Sequence, residues 1–426
     1  MKKKFTAWKD ELQHHLDKEL LPFWLDRLWD EEHGGFLTQW DKDGKDSGVD
    51  EKSMLAHFRS IYSLSLAALH GHDHDGRCQS LATKGVHFAI EHYWDEKYGG
   101  FYWLFDRKNN VLIDQKITYG HSFVIYALST YTLAFGDPIG LEYAERVFDL
   151  LQVYVVDTNY GGYWTMLNRN WSLCGPGSAG GDRKTLDIHM HLMEAFTALY
   201  QASGKEIHRR KLLEIITQID EKILHPEFKT GIPMFWEDWT IAPHIKFDII
   251  WGWDRFEGED GEKEHALDNT SYGHNAELFW LLAEALKSAD VPLKAWEPTF
   301  RKMLDHSVAY GVDEKYGGVY VEGSLTTSAV HDKAKEFWQQ AEFMIGMLDA
   351  YLLYGDERYI KAYENVHRFV FDVMINHEVG EWLPLLQQDG TPIWRHMSHS
   401  WKVNYHTIRA VVLSIDRLER LMEQIE

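Results

Sequence analysis

The sequence predicts an all-α fold, a closed (α/α)6 barrel of twelve helices with short β-hairpins in the long loops on one rim, built as a single domain over residues 1–426. Three observations predict it: a recurring phrase, helical patterns that come in pairs, and connections of alternating length. The phrase reads Asp30-Glu31-Glu32-His33-Gly34-Gly35-Phe36, and returns as Asp95-Glu96-Lys97-Tyr98-Gly99-Gly100-Phe101. It recurs as Asp157-Thr158-Asn159-Tyr160-Gly161-Gly162-Tyr163 and Asp313-Glu314-Lys315-Tyr316-Gly317-Gly318-Val319. Weaker echoes stand at Phe228-Lys229-Thr230-Gly231 and Val379-Gly380-Glu381-Trp382. Paired glycines followed by aromatics read as a turn entering a short strand. Spacings of roughly 62 to 86 residues exceed solenoid periods, so each repeat has room for a loop and two helices.

Helical patterns cover about 5–28, 53–70, 79–93, 118–135, 140–156, 187–203, 208–224, 269–289, 293–310, 335–354, 356–376 and 404–425. The even-numbered ones are poor in charge, as in Ser122-Phe123-Val124-Ile125-Tyr126-Ala127-Leu128, and read as buried. Odd ones are amphipathic, as in Arg209-Arg210-Lys211-Leu212-Leu213-Glu214-Ile215-Ile216, and read as an outer layer. Gly71, Gly136, Gly204 and Gly355 fall just past even helices, where a left-handed residue ends a helix well. Even-to-odd connections are short and odd-to-even ones long, so the long loops gather on one rim beside the inner N-termini. An open solenoid is the alternative; six repeats without a polar capping repeat favour closure.

Composition narrows the function. Sixty-six acidic against 44 basic side chains give a net charge of -22, the wrong sign for a nucleic-acid surface. A hydrophobic content of 45% excludes a disordered chain. Two cysteines, Cys78 and Cys174, fit a reducing compartment. Met1-Lys2-Lys3-Lys4 is followed by Lys9, Asp10, Glu11 and Asp17 rather than an apolar segment, so no signal peptide is expected. No apolar run reaches the length of about 18 residues that a membrane span needs. The expectation is a cytoplasmic monomer or homodimer with a small-molecule partner and neither nucleic acid nor membrane.

Chemistry is expected at the inner helix N-termini. These carry Arg59; Tyr119 and His121; Asp187, His189, His191 and Glu194; His274 and Glu277; Trp338 and Glu342; and Trp401, His406 and Arg409. Polar groups at the mouths of apolar helices converge on one pocket and need a reason to be buried. Histidine moves protons near neutral pH. Glu277, three residues after His274, shares its face and is expected to hold that imidazole in one tautomer. His406 approaches from a neighbouring hairpin.

Other clusters carry less. His70, His72, Asp73, His74 and Asp75 fill a short loop on the opposite rim and read as a solvated turn. His189 and His191 are two apart and point to different sides. Gly175-Pro176-Gly177-Ser178-Ala179-Gly180-Gly181 lacks the ending of a phosphate loop and reads as a flexible lid. Twelve of the 18 tryptophans, among them Trp103, Trp171, Trp239 and Trp401, fall in the long segments, where indole faces would line a sugar-binding mouth.

The motifs Tyr272-Gly273-His274-Asn275-Ala276-Glu277, Gln340-Ala341-Glu342 and Trp401-Lys402-Val403-Asn404-Tyr405-His406 resemble the N-acylglucosamine 2-epimerase superfamily, in particular its cellobiose 2-epimerase and mannose 2-epimerase branch. The resemblance implies the (α/α)6 barrel and an isomerase working at C2 of a sugar with no cofactor and no metal. It implies acid/base roles for His274 and His406, an enediolate-steadying role for Arg59, and pocket roles for His191 and Glu277. Tyr119, Trp338 and Trp401 resemble the pocket aromatics. Asp187 stands where the cellobiose branch usually has Asn, Phe337-Trp338 where it has two tryptophans, and Val403-Asn404 where it has Cys-Pro. With Trp251 and Asp254 in a loop able to close over a small sugar, these departures favour D-mannose and D-glucose as substrates. Cellobiose epimerisation and aldose–ketose isomerisation are the near alternatives. A glycoside hydrolase using Glu277, Glu342 and Asp187, or a non-catalytic sugar-binding protein, are the distant ones.

Overall fold

The computed structural model describes residues 1–243, 247 and 267–425. Its helices are, in chain order, α1 (Lys2–His15), α2 (Leu21–Leu25), α3 (Met54–Leu69), α4 (Arg77–His92), α5 (Thr118–Phe135), α6 (Pro138–Tyr154) and α7 (Leu186–Ser203). They continue as α8 (Glu206–Gln218), α9 (Tyr272–Ser288), α10 (Glu297–Gly311), α11 (Phe337–Tyr354), α12 (Glu357–Phe369) and α13 (Asn404–Glu423). A π-turn at Leu16–Leu20 divides the first predicted helix into α1 and α2; the other predicted helices are each found within a few residues. None of the described helices is long and apolar enough to cross a membrane.

The inner layer is a closed ring. Helix α3 packs on α5, α5 on α7, α7 on α9, α9 on α11, α11 on α13, and α13 returns to α3. Outside it, α4, α6, α8, α10 and α12 each pack on the inner helix preceding them, and α1 packs on α13. Inner helices tolerate burial because their few hydroxyls bond within the helix: Ser60, Ser63 and Ser65 donate to the carbonyls of Ala56, Arg59 and Ile61. Ser53, Thr185 and Ser271 cap α3, α7 and α9 by accepting from the backbone N–H groups of Ala56, Ile188 and His274. In the outer layer α12 buries Tyr359, Ile360, Tyr363 and Val366 and exposes Arg358 and Lys361.

On the rim of the inner N-termini, the strand entering each inner helix pairs with a strand of the following repeat. Lys52–Ser53 pairs with Leu104–Phe105, Lys116–Ile117 with Met166–Leu167, and Arg183–Thr185 with Met234–Trp236. Thr270–Ser271 pairs with Glu322–Gly323 and Lys335–Glu336 with Leu385–Leu386, and a bridge between Trp40 and Ser398 completes the circle.

The recurring glycine phrases are tight turns at the feet of the outer helices. Five close on a single bridge, as in Trp94 with Phe101 and Val156 with Tyr163, and at the sixth Glu381–Trp382 pairs with Ile375–Asn376 as a short strand. A second device anchors them that the sequence did not announce. The opening aspartates Asp30, Asp95, Asp157 and Asp313 pair with buried Lys52, Lys116, Lys184 and Lys335 at 2.8, 3.1, 2.6 and 3.1 Å. Burial pushes the Lys116 and Lys335 ammonium groups down to about 8, although their aspartates pull the other way.

Gly100 shows why the second glycine is required. Its φ is +72°, and a Cβ there would lie 2.9 Å from His121 Nε2 and 2.6 Å from the Trp171 ring. Gly100→Ala is expected to destabilise the fold by about 1–3 kcal/mol. Urea unfolding would measure it, and an unchanged midpoint would show that the turn relaxes freely.

Candidate active site

Five inner helices begin directly after a rim strand, and α13 begins a few residues after the bridge at Ser398, so equivalent positions lie at similar depth. The sixth residues of α3, α5, α7, α9, α11 and α13 are Arg59, Phe123, His191, Glu277, Glu342 and Arg409. They form one ring around the barrel axis. The third residues of α9 and α13, His274 and His406, stand above it toward the mouth. All six helix N-termini face this space, so their dipoles favour negative charge there.

Arg409 is the centre of the ring. It is fully buried and donates from Nη1 to Glu194 Oε1 at 2.5 Å, and from Nη2 to Glu277 Oε1 at 2.7 Å and Glu342 Oε1 at 2.6 Å. Two of these carboxylates hold histidines. Glu194 Oε2 is 2.9 Å from His191 Nδ1, and Glu342 Oε1 is 2.7 Å from His406 Nδ1. The Tyr405 hydroxyl donates to Glu194 at 2.9 Å, and Trp280 Nε1 to Glu342 at 3.1 Å. Burial works to raise the Glu194 carboxyl, but Arg409 and His191 hold it below the usual carboxylate range.

His406 is 7% exposed. Burial, with Arg409 and Arg59 nearby, holds its imidazole well below the usual histidine range, so it is neutral at pH 7. In that form Nδ1–H donates to Glu342 and the lone pair lies on Nε2, the state a general base needs. His274 is more open, its side chain 22% exposed, with Nε2 3.4 Å from Asp187 Oδ1. Both imidazoles lie beside one indole, with ring centroids 4.4 Å (His274) and 5.9 Å (His406) from Trp338.

Across the pocket, Arg59 donates from Nη1 to the Trp401 carbonyl at 2.8 Å and from Nη2 to the Tyr119 hydroxyl at 2.6 Å. Its guanidinium stacks over Phe123 at 4.3 Å and Tyr405 at 4.9 Å. Tyr119 in turn packs on His191 at 5.1 Å and Trp401 at 5.6 Å. Arg59, Tyr119, Asp187, His191, His274, Glu277, Trp338, Trp401 and His406 are thus brought together. Trp251 and Asp254 lie outside the described residues.

Several expectations change. Among the described residues Glu277 accepts from Arg409 and not from His274, because the guanidinium lies one helical turn deeper and attracts the carboxyl. The carboxylate beside His274 is Asp187. His121 and His189 belong to the turns, each donating from Nδ1 to its own helix and accepting at Nε2 from the N–H of Phe101 or Tyr163. Asn275 and Gln340, at the same fourth position of their helices, accept from Gly231 and Val319. Trp171 and Trp239 pack on these histidines at 5.3 and 5.1 Å, so part of the rim tryptophan load braces turns instead of lining the mouth.

The segment 175–181, expected to be a lid, closes on itself as a turn in which Gly181 N–H donates to the Gly175 carbonyl and Gly177 N–H to Asp182. In the 70–75 loop, Asp73 caps α4 through Cys78 and Gln79. Sequence reasoning placed Glu194, Glu342 and Arg409 at the inner helix mouths but gave them no part in the epimerase site, and it gave Tyr405 no role. For Glu342 and Arg409 the signal was the shared register, each being the sixth residue of its inner helix.

Comparison with known proteins fits this site. The sequence model of N-acylglucosamine 2-epimerase (GlcNAc 2-epimerase) matches residues 34–410. The chain belongs to the N-acylglucosamine 2-epimerase family. Within that family it is similar to the cellobiose 2-epimerase of Bacteroides fragilis, 28% identical over 418 residues, which cover 95% of this chain and 97% of that one. The D-mannose isomerase of Marinomonas mediterranea is 25% identical over 406 residues, 94% of this chain and 95% of that one. The solved structure of cellobiose 2-epimerase from Bacillus thermoamylovorans superposes with a TM-score of 0.85 at 26% identity, over 97% of this chain and 100% of that one. Family membership makes the protein a carbohydrate isomerase of the epimerase kind, and the (α/α)6 barrel is the fold it shares with these relatives.

Proposed function

We propose that the protein interconverts D-mannose and D-glucose as free aldoses, by removing and returning the C2 proton through a cis-enediolate. The observation that carries this reading is the pair of imidazoles beside Trp338, brought by two different helices, one of them neutral and held by a glutamate. A base on one side and an acid on the other is what inversion at C2 demands.

The C2 proton is acidic only while C1 is a carbonyl, so the ring opens first. For one direction, neutral His406 takes the proton at Nε2 as the C2–H bond breaks and its electrons move into the C1–C2 double bond. Arg59 and the converging helix N-termini stabilise the charge left on oxygen. His274, which forms an ion pair with Asp187 whenever its ring is protonated, delivers a proton to the opposite face. The reverse reaction exchanges the two roles. Each proton-transfer group is worth about 10²–10⁴ in rate.

A monosaccharide is favoured by the residues that depart from the cellobiose branch, Asp187, Phe337 and Val403-Asn404, and by a relative named for D-mannose. That relative also supports a second reading. Return of the proton to C1 instead of C2 gives the ketose, so an aldose–ketose isomerase would use the same groups.

Incubation of mannose or glucose in D2O separates the readings. Deuterium is expected at C2 of the other aldose, read by NMR. Ketose as the sole product would make the enzyme an isomerase, and exchange confined to cellobiose would overturn the monosaccharide assignment.

A further inference from the structure

Three carboxyl groups meet one guanidinium in the floor of this pocket, and their hydrogen bonds are unequal. Glu194 accepts from His191, Arg409 and Tyr405, and Glu342 from His406, Arg409 and Trp280. Glu277 accepts from Arg409 alone, at Oε1, and shares that Nη2 with Glu342. Among the described residues Oε2 of Glu277 has no hydrogen-bond partner, and the residue is 1% exposed. A carboxyl oxygen of Glu277, one of Glu342 and a ring nitrogen of His406 lie within 4.8 Å of one another.

Two carboxylate charges that close in a dry interior repel strongly, and of the three Glu277 has the fewest donors to hold a charge. We propose that Glu277 stays un-ionised at neutral pH, carrying the one proton that the three carboxyls around Arg409 share and presenting a neutral hydrogen-bond donor to the pocket.

The charges facing it fit. With Glu277 neutral, the guanidiniums of Arg409 and Arg59 face the carboxyls of Glu194 and Glu342 and the neutral imidazole of His406. Among the described residues, His274 and Asp187 form a further pair near the mouth. An ionised Glu277 would add a negative charge to the ring of side chains that must accommodate the enediolate. In the same direction, burial and the neighbouring Glu342 push the Glu277 carboxyl well above the usual carboxylate range, against the pull of Arg409.

The test compares glutamine variants, since glutamine copies the neutral acid and not the carboxylate. Glu277→Gln, which keeps the size and hydrogen bonding of the neutral acid, is expected to retain at least about tenfold more kcat/KM for C2 exchange than either of the other two glutamine variants. Glu342→Gln and Glu194→Gln, which lose charges that orient histidines, are expected to fall by about 10² or more. Loss in Glu277→Gln as deep as in Glu342→Gln would overturn the proposal.

The kinetic arm rests on the epimerase reading; infrared spectroscopy does not. The wild-type protein at neutral pH is expected to show the carbonyl stretch of an un-ionised carboxyl that Glu277→Gln removes and that survives Glu284→Gln, a change two turns farther along α9 at another carboxyl that burial pushes up. An unaltered band in Glu277→Gln would overturn the proposal even if the wild type exchanged no sugar proton.

Discussion

Replacing His406 by alanine is expected to lower kcat for C2 exchange by about 10²–10⁴, with the fold intact. The imidazole is buried and neutral and is oriented by Glu342, which suits the proton transfer proposed for it. NMR of mannose in D2O would measure the rate, and a variant keeping most of its activity would remove His406 from the mechanism. The pH profile carries a second expectation. A depressed pKa means that the base stays unprotonated as pH falls through the ordinary histidine value near 6.5. The acid limb of kcat/KM belonging to His406 should therefore lie below that value. A limb at or above it would assign the base to another group.

Arg409→Met is expected to be the most destabilising single change in the pocket, by about 3–5 kcal/mol, because it strands Glu194, Glu277 and Glu342 around an empty centre. Activity should vanish with it, since the glutamates holding His191 and His406 lose their common anchor. Urea unfolding gives the stability term. Adding Glu342→Gln to Arg409→Met should recover part of it by removing a buried charge. If the single variant melts like the wild type, the three carboxyls are satisfied by something other than the guanidinium.

The fold was legible because its signals repeat. Apolar helices alternating with amphipathic ones, left-handed glycines such as Gly136 and Gly204 at helix ends, and lopsided loop lengths all pointed to the same closed ring. The pocket was legible at the level of which helix ends would face it. Which side chains enter it was harder to read. His189 and His191 look alike in sequence, yet the fourth residue of α7 faces the turn and the sixth faces the axis. Glu277 reads as a partner for His274 from spacing alone, and only three dimensions reveal a guanidinium from α13 competing for it. The buried lysines were invisible for a similar reason: Lys116 and Asp95 are ordinary surface residues until the strand pairing brings them together.

The position of Arg409 on α13 has a consequence in time. A ribosome delivers α3, α5, α7, α9 and α11 before the helix that seats between α11 and α3. Until then Glu194, Glu277 and Glu342 have no shared cation, and the ring lacks His406. A nascent chain therefore gains its chemistry and the closure of its barrel in one event, when the same helix docks. An arrested or shortened polypeptide lacking that helix would be inert as well as open, a built-in safeguard against half-made enzyme acting on sugar.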